Sequence, residues 1–470
     1  MRRPTSMLRR RAATTLAAVL ATTLLAPAGA AFAAVDYPGA DSADVTVVER
    51  YRAQAARTAS AADEEASLKN FEHVFHFEFP VVPGKPQSVD DQGTDLEFYS
   101  PTVARRDANG DKVLDAGGNP VLEQRDFAIV GSYDRGAFVF DITNPDKTTF
   151  VTQIECNQRQ NDVQIKAFGD RWILALTKDG SGDPCLGQKF PRFGQAGPAG
   201  IAVYDVTDPY AITPLFSFRT QGGAHNFTFH PTKPFGYVST GDLPGGMNHI
   251  PIIDFTDLNK PTLANDVPVE GGPHDISFNT DGTRAYVASE NNMRVYDSTD
   301  PAKPVLLSRS GGPAAYVHGA DPTPDGKHLL LTDESLVLGG FFAARTALCP
   351  GGGFTVYNIE GANERQPVPV GFGLADYRAP TPDHRACTAH VGRFSPNSKY
   401  YVTGWYVAGV RVFDISDPRN PKDVGHAMMP RSEVWAAKFH KGPYVYTGDL
   451  GRGFDVYRWT GPKLALPPVG

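Results

Sequence analysis

One phrase recurs seven times between Thr94 and Trp459, most clearly as HDISFNTDGTRAYVASENNMRVYDSTDPAKPVLL from His274 to Leu307. Each copy runs through four short stretches rich in β-branched and aromatic residues, separated by turns of Gly, Asn, Asp and Pro, and so reads as four strands. A unit of roughly 35 to 55 residues built this way cannot bury its apolar faces alone, whereas several packed radially can. The chain is therefore predicted to be all-β, a seven-bladed β-propeller.

The copies open at Thr94, Asn161, His225, His274, His318, His390 and Trp435. The last stops after its third strand, while a spare alternating run, HVFHFEF, lies at His73 to Phe79. An open ring would leave strand edges unpaired. The N-terminal run is predicted to become the outer strand of blade seven and close the ring.

Before the repeats, residues 1–33 carry Arg2, Arg3, Arg9, Arg10 and Arg11, an apolar stretch to Leu25 and the small-residue site AFA before Ala34. This order predicts a cleaved export signal, with the general secretory route preferred to the twin-arginine one. Residues 34–70 read as an Ala-rich linker, 71–460 as the propeller and 461–470 as a tail. No later stretch is apolar enough to span a bilayer, so an extracellular, soluble monomer is expected. A net charge of -7 without clustered Lys and Arg argues against nucleic acid as a partner. The expected partner is an extracellular small molecule or protein.

Four cysteines in an exported chain predict two disulfides. All fall in connections that open onto one face of the disc. Cys156 links blades one and two, Cys185 lies between strands two and three of blade two, Cys349 lies in the corresponding loop of blade five, and Cys387 links blades five and six. Proximity pairs Cys156 with Cys185 and Cys349 with Cys387.

The third strands end in Asp141, Asp205, Asp254, Asp297 and Asp414, most followed by an Asp-Pro or Asn-Pro pair such as Asp208 and Pro209 or Asn144 and Pro145. Short acceptors at these places cap nearby N–H groups and start type I turns, so they are read as turn chemistry. The strings VYDVTDP, VYDSTDPAKP and VFDISDPRNP resemble the signature of LVIVD-repeat proteins. That resemblance covers nearly all of the chain from Phe71 and implies a secreted or surface β-propeller; it implies little about activity.

Aligned on their first position, four of the seven copies carry histidine: His225, His274, His318 and His390. The first residue of an innermost strand sits at the rim of the central channel. Imidazoles from several blades can converge there, and neutral imidazole is the usual ligand of Zn, Cu or Fe. Repetition of a structural hydrogen bond is the competing explanation. The same face is expected to receive His249 and His384 from loops, the strand-two carboxylates Asp134, Asp242, Glu290, Glu334 and Asp449, and also Arg378, Arg385 and Trp405. Of these, His249, Glu290, Glu334, His384 and Trp405 are the candidate ligand-binding residues.

The blade-six string VAGVRVFDISDPRNPKDVG is similar to a segment of the selenium-binding protein family, which includes a copper-dependent methanethiol oxidase. Seven-bladed carotenoid oxygenases, in turn, hold iron with four axial histidines. The catalytic cysteine-containing stretches of the first family have no counterpart here. Two functions follow as expectations: a binding scaffold that presents its loop-rich face to a ligand, or a metal-dependent oxidoreductase with Cu, Zn or Fe on the four column histidines.

Three other features carry less. Asp107, Asn109, Asp111 and Asp115 have nearly the order of a calcium loop, but Gly110 precedes Asp111 and a protruding hairpin with two turns is expected instead. Ser277 and Ser289 lack a nucleophile elbow. His230 and His440 are read as exposed turn residues on the opposite face.

Overall fold

The computed structural model describes residues 66–80, 92–107, 109–156, 160–179, 185, 191–195, 199–241, 248–289, 292–311, 316–334, 352–377 and 386–463. Seven antiparallel sheets follow one another along the chain, each ordered from an innermost to an outermost strand. In blade four these strands are Pro273–Phe278, Arg284–Ser289, Asn292–Asp297 and Val305–Gly311. Seven hydrophobic clusters fill the seams between consecutive blades, and the cluster joining Phe138 and Phe140 of blade one to Tyr446 and Phe454 of blade seven completes the circle. Alternation explains this arrangement. Every second residue of a strand faces a neighbouring blade, so each sheet buries both faces.

The ring closes as the sequence predicts. Phe71–Phe77 pairs antiparallel with Gly453–Trp459, the third strand of blade seven. Phe75 and Phe77 pack edge-on against Phe140, and Phe77 stacks on Phe150 of blade one. His73 and His76 both reach the buried carboxylate of Asp455, at 2.7 and 3.0 Å, while Arg452 grips its two oxygens at 2.8 and 2.9 Å. Burial disfavours that charge, but Arg452 and His76 hold the Asp455 carboxyl well below its ordinary value.

Two blades gain a fifth strand. Arg192–Gly194 runs parallel to the outer strand of blade two, and Ser67–Lys69 pairs with Lys422–Met428 of blade six. The latter lies within the stretch expected to be a linker. The N-terminal segment thus spans two blades in succession before the repeats begin.

The terminal aspartates of the third strands cap turns: Asp141, Asp205, Asp254, Asp297 and Asp414 each accept from the N–H two residues on. In the blade-one insertion, Asp107 accepts from the N–H groups of Asn109 and Asp111, and Asp115 from those of Gly117 and Asn119. Those oxygens serve tight turns, as a protruding hairpin requires.

The histidines read as exposed turns are not exposed. His230 is buried, with Nε2 2.9 Å from the Gly282 carbonyl of the next blade and Nδ1 accepting from Lys233 N–H at 3.1 Å. His440 stacks on Phe98 with ring centroids 4.1 Å apart, and burial next to Arg393 draws its pKa down to about 4. Both rings fasten one blade to the next, a role that periodicity cannot reveal.

Backbone approaches backbone closely where blades meet. A Cβ on Gly448 of blade seven would overlap the Thr94 carbonyl oxygen of blade one, and one on Gly131 would overlap the Asn161 carbonyl of blade two. Blade two uses a hydroxyl instead: Thr177 donates to the His225 carbonyl at 3.0 Å. The opening residues Thr94, Asn161 and His225 are therefore pressed against the preceding blade.

Candidate functional site

The opening residues are distinguished by irregular pairing. In blades four, five and seven the ladder between the first two strands shifts at His274, His318 and Trp435 respectively. A bulged residue leaves the ladder and its side chain is re-aimed. Here it turns the column toward neighbouring blades.

The imidazoles form a continuous arc. Ring centroids lie 4.3 Å apart for His225 and His274, 4.3 Å for His274 and His318, and 3.9 Å for His318 and His390. His390 then meets Trp435 at 4.5 Å and Tyr406 at 4.7 Å. His274, His318 and His390 are buried. Desolvation, reinforced by the neighbouring rings, lowers His274 and His318 well below the ordinary imidazole value and His390 to about 3. At neutral pH these three rings are uncharged.

Partners fix the tautomers of His390, His225 and His274. The Trp435 carbonyl can only accept, so His390 donates from Nδ1 at 2.7 Å and carries its lone pair on Nε2. His225 donates from Nδ1 to Asp179 at 2.9 Å. His274 bonds the His318 backbone through one nitrogen, and its Nδ1 has no partner. The Nδ1 of His318 has none either. Such tethering of one nitrogen, with the other left as an acceptor, is how proteins orient metal-ligating imidazoles.

Glu334, which follows the second strand of blade five, enters this arc. Its Oε2 lies 3.8 Å from His318 Nε2 and its Oε1 3.5 Å from His390 Nε2. One ligating atom each from His274, His318 and Glu334 fall within 4.8 Å of one another. Tyr406 donates its phenol to Glu334 Oε1 at 2.5 Å, and burial beside that carboxylate raises the phenol pKa well above its ordinary value.

Next to the arc lies a cavity of about 530 Å³ that His318, His390 and Trp435 help to line. Its wall comes from positions one and three residues after the column. Lys438 binds Asp95 and Glu97, both at 2.8 Å, and Arg393 clasps both oxygens of Glu97. Burial opposes ionisation of Glu97, but Arg393 and Lys438 bring its pKa down to about 2. Asp162, Asp275 and Asp321 lie on other blades. Burial and neighbouring carboxylates raise Asp162 well above its ordinary value and Asp275 to about 7, and burial foremost raises Asp321 to about 6. The channel is thus polar, with ion-paired carboxylates on one side and carboxyls of raised pKa on the other.

Of the residues expected here, the structure brings together His225, His274, His318, His390 and Glu334. His249 stands apart, with Nδ1 bound to Asp266 and Nε2 at 2.8 Å from the Gln221 carbonyl. Trp405 turns into the core between blades five and six, 5.7 Å from Phe413. Asp449 is consumed by local bonds to Ser432, Glu433 and Gly451, and Asp134 lies 3.4 Å from Arg135. Glu290, His384, Asp242, Arg378, Arg385 and Cys349 lie outside the described residues. Cys156 and Cys185 are joined, with Cα atoms 4.4 Å apart, and Cys387 is also disulfide-bonded.

Sequence reasoning missed Tyr406, Asp179 and the channel acids. Reading the repeat alignment one and three places downstream would have exposed Asp95, Asp162, Asp275, Asp321, Arg393 and Lys438. No sequence signal marks Tyr406, which reaches the site from a turn.

Fold and site together define a seven-bladed β-propeller with an imidazole and carboxylate cluster beside its central channel. No known protein family matches the chain, and no curated protein does. Among solved structures it is similar to a functionally unknown protein from Desulfotomaculum acetoxidans DSM 771, with 14% identity and a TM-score of 0.44 over 62% of this chain and 79% of that one. No helix among the described residues is long and apolar enough to cross a membrane.

Proposed function

We propose that this chain is a secreted, LVIVD-like propeller that holds one transition-metal ion on the column histidines and Glu334, and presents it to a small extracellular ligand entering by the channel. One observation carries this reading. His390 Nε2, bearing a lone pair, faces a Glu334 oxygen that already accepts from Tyr406, at 3.5 Å. Two acceptors in that position repel unless a cation lies between or beside them. His274, His318 and Glu334 also hold one ligand atom each within 4.8 Å of one another, a spacing that one ion can bridge. Imidazoles with one carboxylate suit Zn, Cu or Fe(II).

Metal analysis of protein purified without chelators tests the proposal. Near-stoichiometric Zn, Cu or Fe is expected, and His318→Ala should lose most of it while keeping the circular-dichroism spectrum of the parent. Metal-free protein that also takes up no added Zn, Cu or Fe(II) would refute the proposal.

A second reading, a metal-dependent oxidoreductase, is favoured by the two-histidine, one-carboxylate set of His274, His318 and Glu334, an arrangement that leaves positions open on Fe(II). His318 and His390 also border the cavity, which would give a substrate access. Oxygen consumption by the metal-loaded protein, with candidate thiols or other reductants, separates it from a pure binding role.

A further inference from the structure

The channel cavity has an open end and a closed one. Pro231, Thr280 and Pro324, in the turns between the first two strands of blades three, four and five, are exposed and border it. At the other end His318 and His390 are each only 2% exposed. A ligand therefore enters between the short turns and meets two tiers of side chains, three residues and then one residue after the column, roughly 7 Å apart along a strand. Asp95, Glu97, Asp162, Asp275 and Asp321 stand in these tiers against two cations, Arg393 and Lys438. Asp95 and Glu97 engage both cations.

The other three carboxyls lack such a partner: among the described residues no lysine or arginine forms an ion pair with Asp162, Asp275 or Asp321. Asp162 Oδ2 accepts from Phe227 N–H at 3.0 Å, and Asp321 Oδ2 from the Tyr401 phenol at 2.9 Å. Asp275 Oδ1 accepts from Ile276 N–H at 2.7 Å. Its Oδ2 borders a recess, since a Cβ at Gly319 of the next blade would lie 4.0 Å from it. At the closed end His318 Nδ1 has no hydrogen-bond partner among the described residues, a buried polar atom that an occupant of the cavity would meet.

A single ion does not fit these acids. Among the described residues only His274, His318 and Glu334 bring three ligand atoms within 4.8 Å of one another, so the channel carboxyls stand farther apart than one ion bridges. The geometry points to a short aliphatic diamine as the channel ligand, with one ammonium group held at Asp162 and Asp275 in the inner tier and the other at Asp321 in the outer tier. Four or five methylenes between the nitrogens match the tier spacing of roughly 7 Å. Ile276 and Phe278 offer apolar wall to the methylenes, and about 530 Å³ accommodates a molecule of that size. The inference rests on the reading above for the ligand's access to the metal, whereas binding itself needs only the carboxyls.

Calorimetric titration of the full chain, as purified and again after chelator treatment, tests this with 1,4-diaminobutane and 1,5-diaminopentane. Butylamine carries one charge of the pair, and butane-1,4-diol carries none. The diamines should bind at one site, butylamine roughly 10-fold or more weakly, and the diol not measurably. Asp162→Asn and Asp321→Asn keep the shape of the side chain while removing its charge, and each should weaken diamine binding by a similar factor. Thermal melting shows whether the variants fold as the parent does. Diamines that bind no tighter than butylamine, or that bind both folded variants as they bind the parent, would overturn the inference, and the first comparison needs no variant. Diamine binding by protein that takes up no metal would keep the diamine site and remove only the metal reading. Metal uptake without diamine binding would do the reverse.

Discussion

Phe71 lies directly opposite Trp459 in one antiparallel ladder, with ring centroids 5.1 Å apart, so the early strand of the chain and its last strand are neighbours in the same sheet. The ring is fastened there by backbone pairing, by the phenylalanines at the blade-one seam and by the buried Asp455 cluster. A chain beginning at residue 66 should melt like the longer protein. One beginning at residue 81 should lose cooperative unfolding or melt far lower, since it exposes a blade edge and several aromatic side chains, each contributing about 2 kcal/mol when buried. Equal melting temperatures for the two would rule out the latch.

The bond between Cys156 and Cys185 spans a sequence separation of 29 residues. Replacing both with serine should lower stability by about 3 kcal/mol through the freed loop. Denaturant titration measures it, and peptide mapping without reductant should also show Cys349 joined to Cys387.

Gly448 has no room for a methyl group against the Thr94 carbonyl. Gly448→Ala must push blades one and seven apart and is expected to cost about 1–3 kcal/mol, the usual range for overpacking. An alanine at Gly326, where the space around Cβ is open, pays only for its left-handed backbone. The Gly448 variant should melt well below the Gly326 one.

Stability should depend on pH in two opposing ways. His390, at about 3, with His274 and His318 also lowered, makes the folded state bind fewer protons than the unfolded chain below the ordinary imidazole value of 6.5. Stability should therefore fall as pH drops from about 6.5 toward 3, by up to about 1.4 kcal/mol per pH unit for each ring. In metal-free protein, His390→Gln should flatten the slope measured by urea unfolding. Asp275 has the opposite sign. Its folded pKa of about 7 lies above the ordinary 3.8, so its contribution is complete below the lower value and is lost as pH rises through the higher. Asp275→Asn should exceed the parent by about 1–2 kcal/mol near pH 8, after discounting for water in the channel, and should show no such gain near pH 4. A pH-independent difference between variant and parent would show that Asp275 ionises normally.

What the sequence determined by itself was whatever repeats or alternates. Strand patterns such as RAYVAS and MRVYDS, the turn aspartates, the missing fourth strand after Trp459 and the spare HVFHFEF run specify a seven-bladed ring and its closure, because they follow from local backbone chemistry and the need to pair every edge. The histidine column was legible for the same reason. Tertiary structure decided which members of that column meet and with what. Bulges at His274 and His318 set where the rings point, the Trp435 carbonyl sets the His390 tautomer, and a left-handed residue in a turn brings Tyr406, rather than Trp405, to Glu334. These are contacts between blades, and the seven-fold repeat that reveals a blade says nothing about the irregularities through which one blade touches the next.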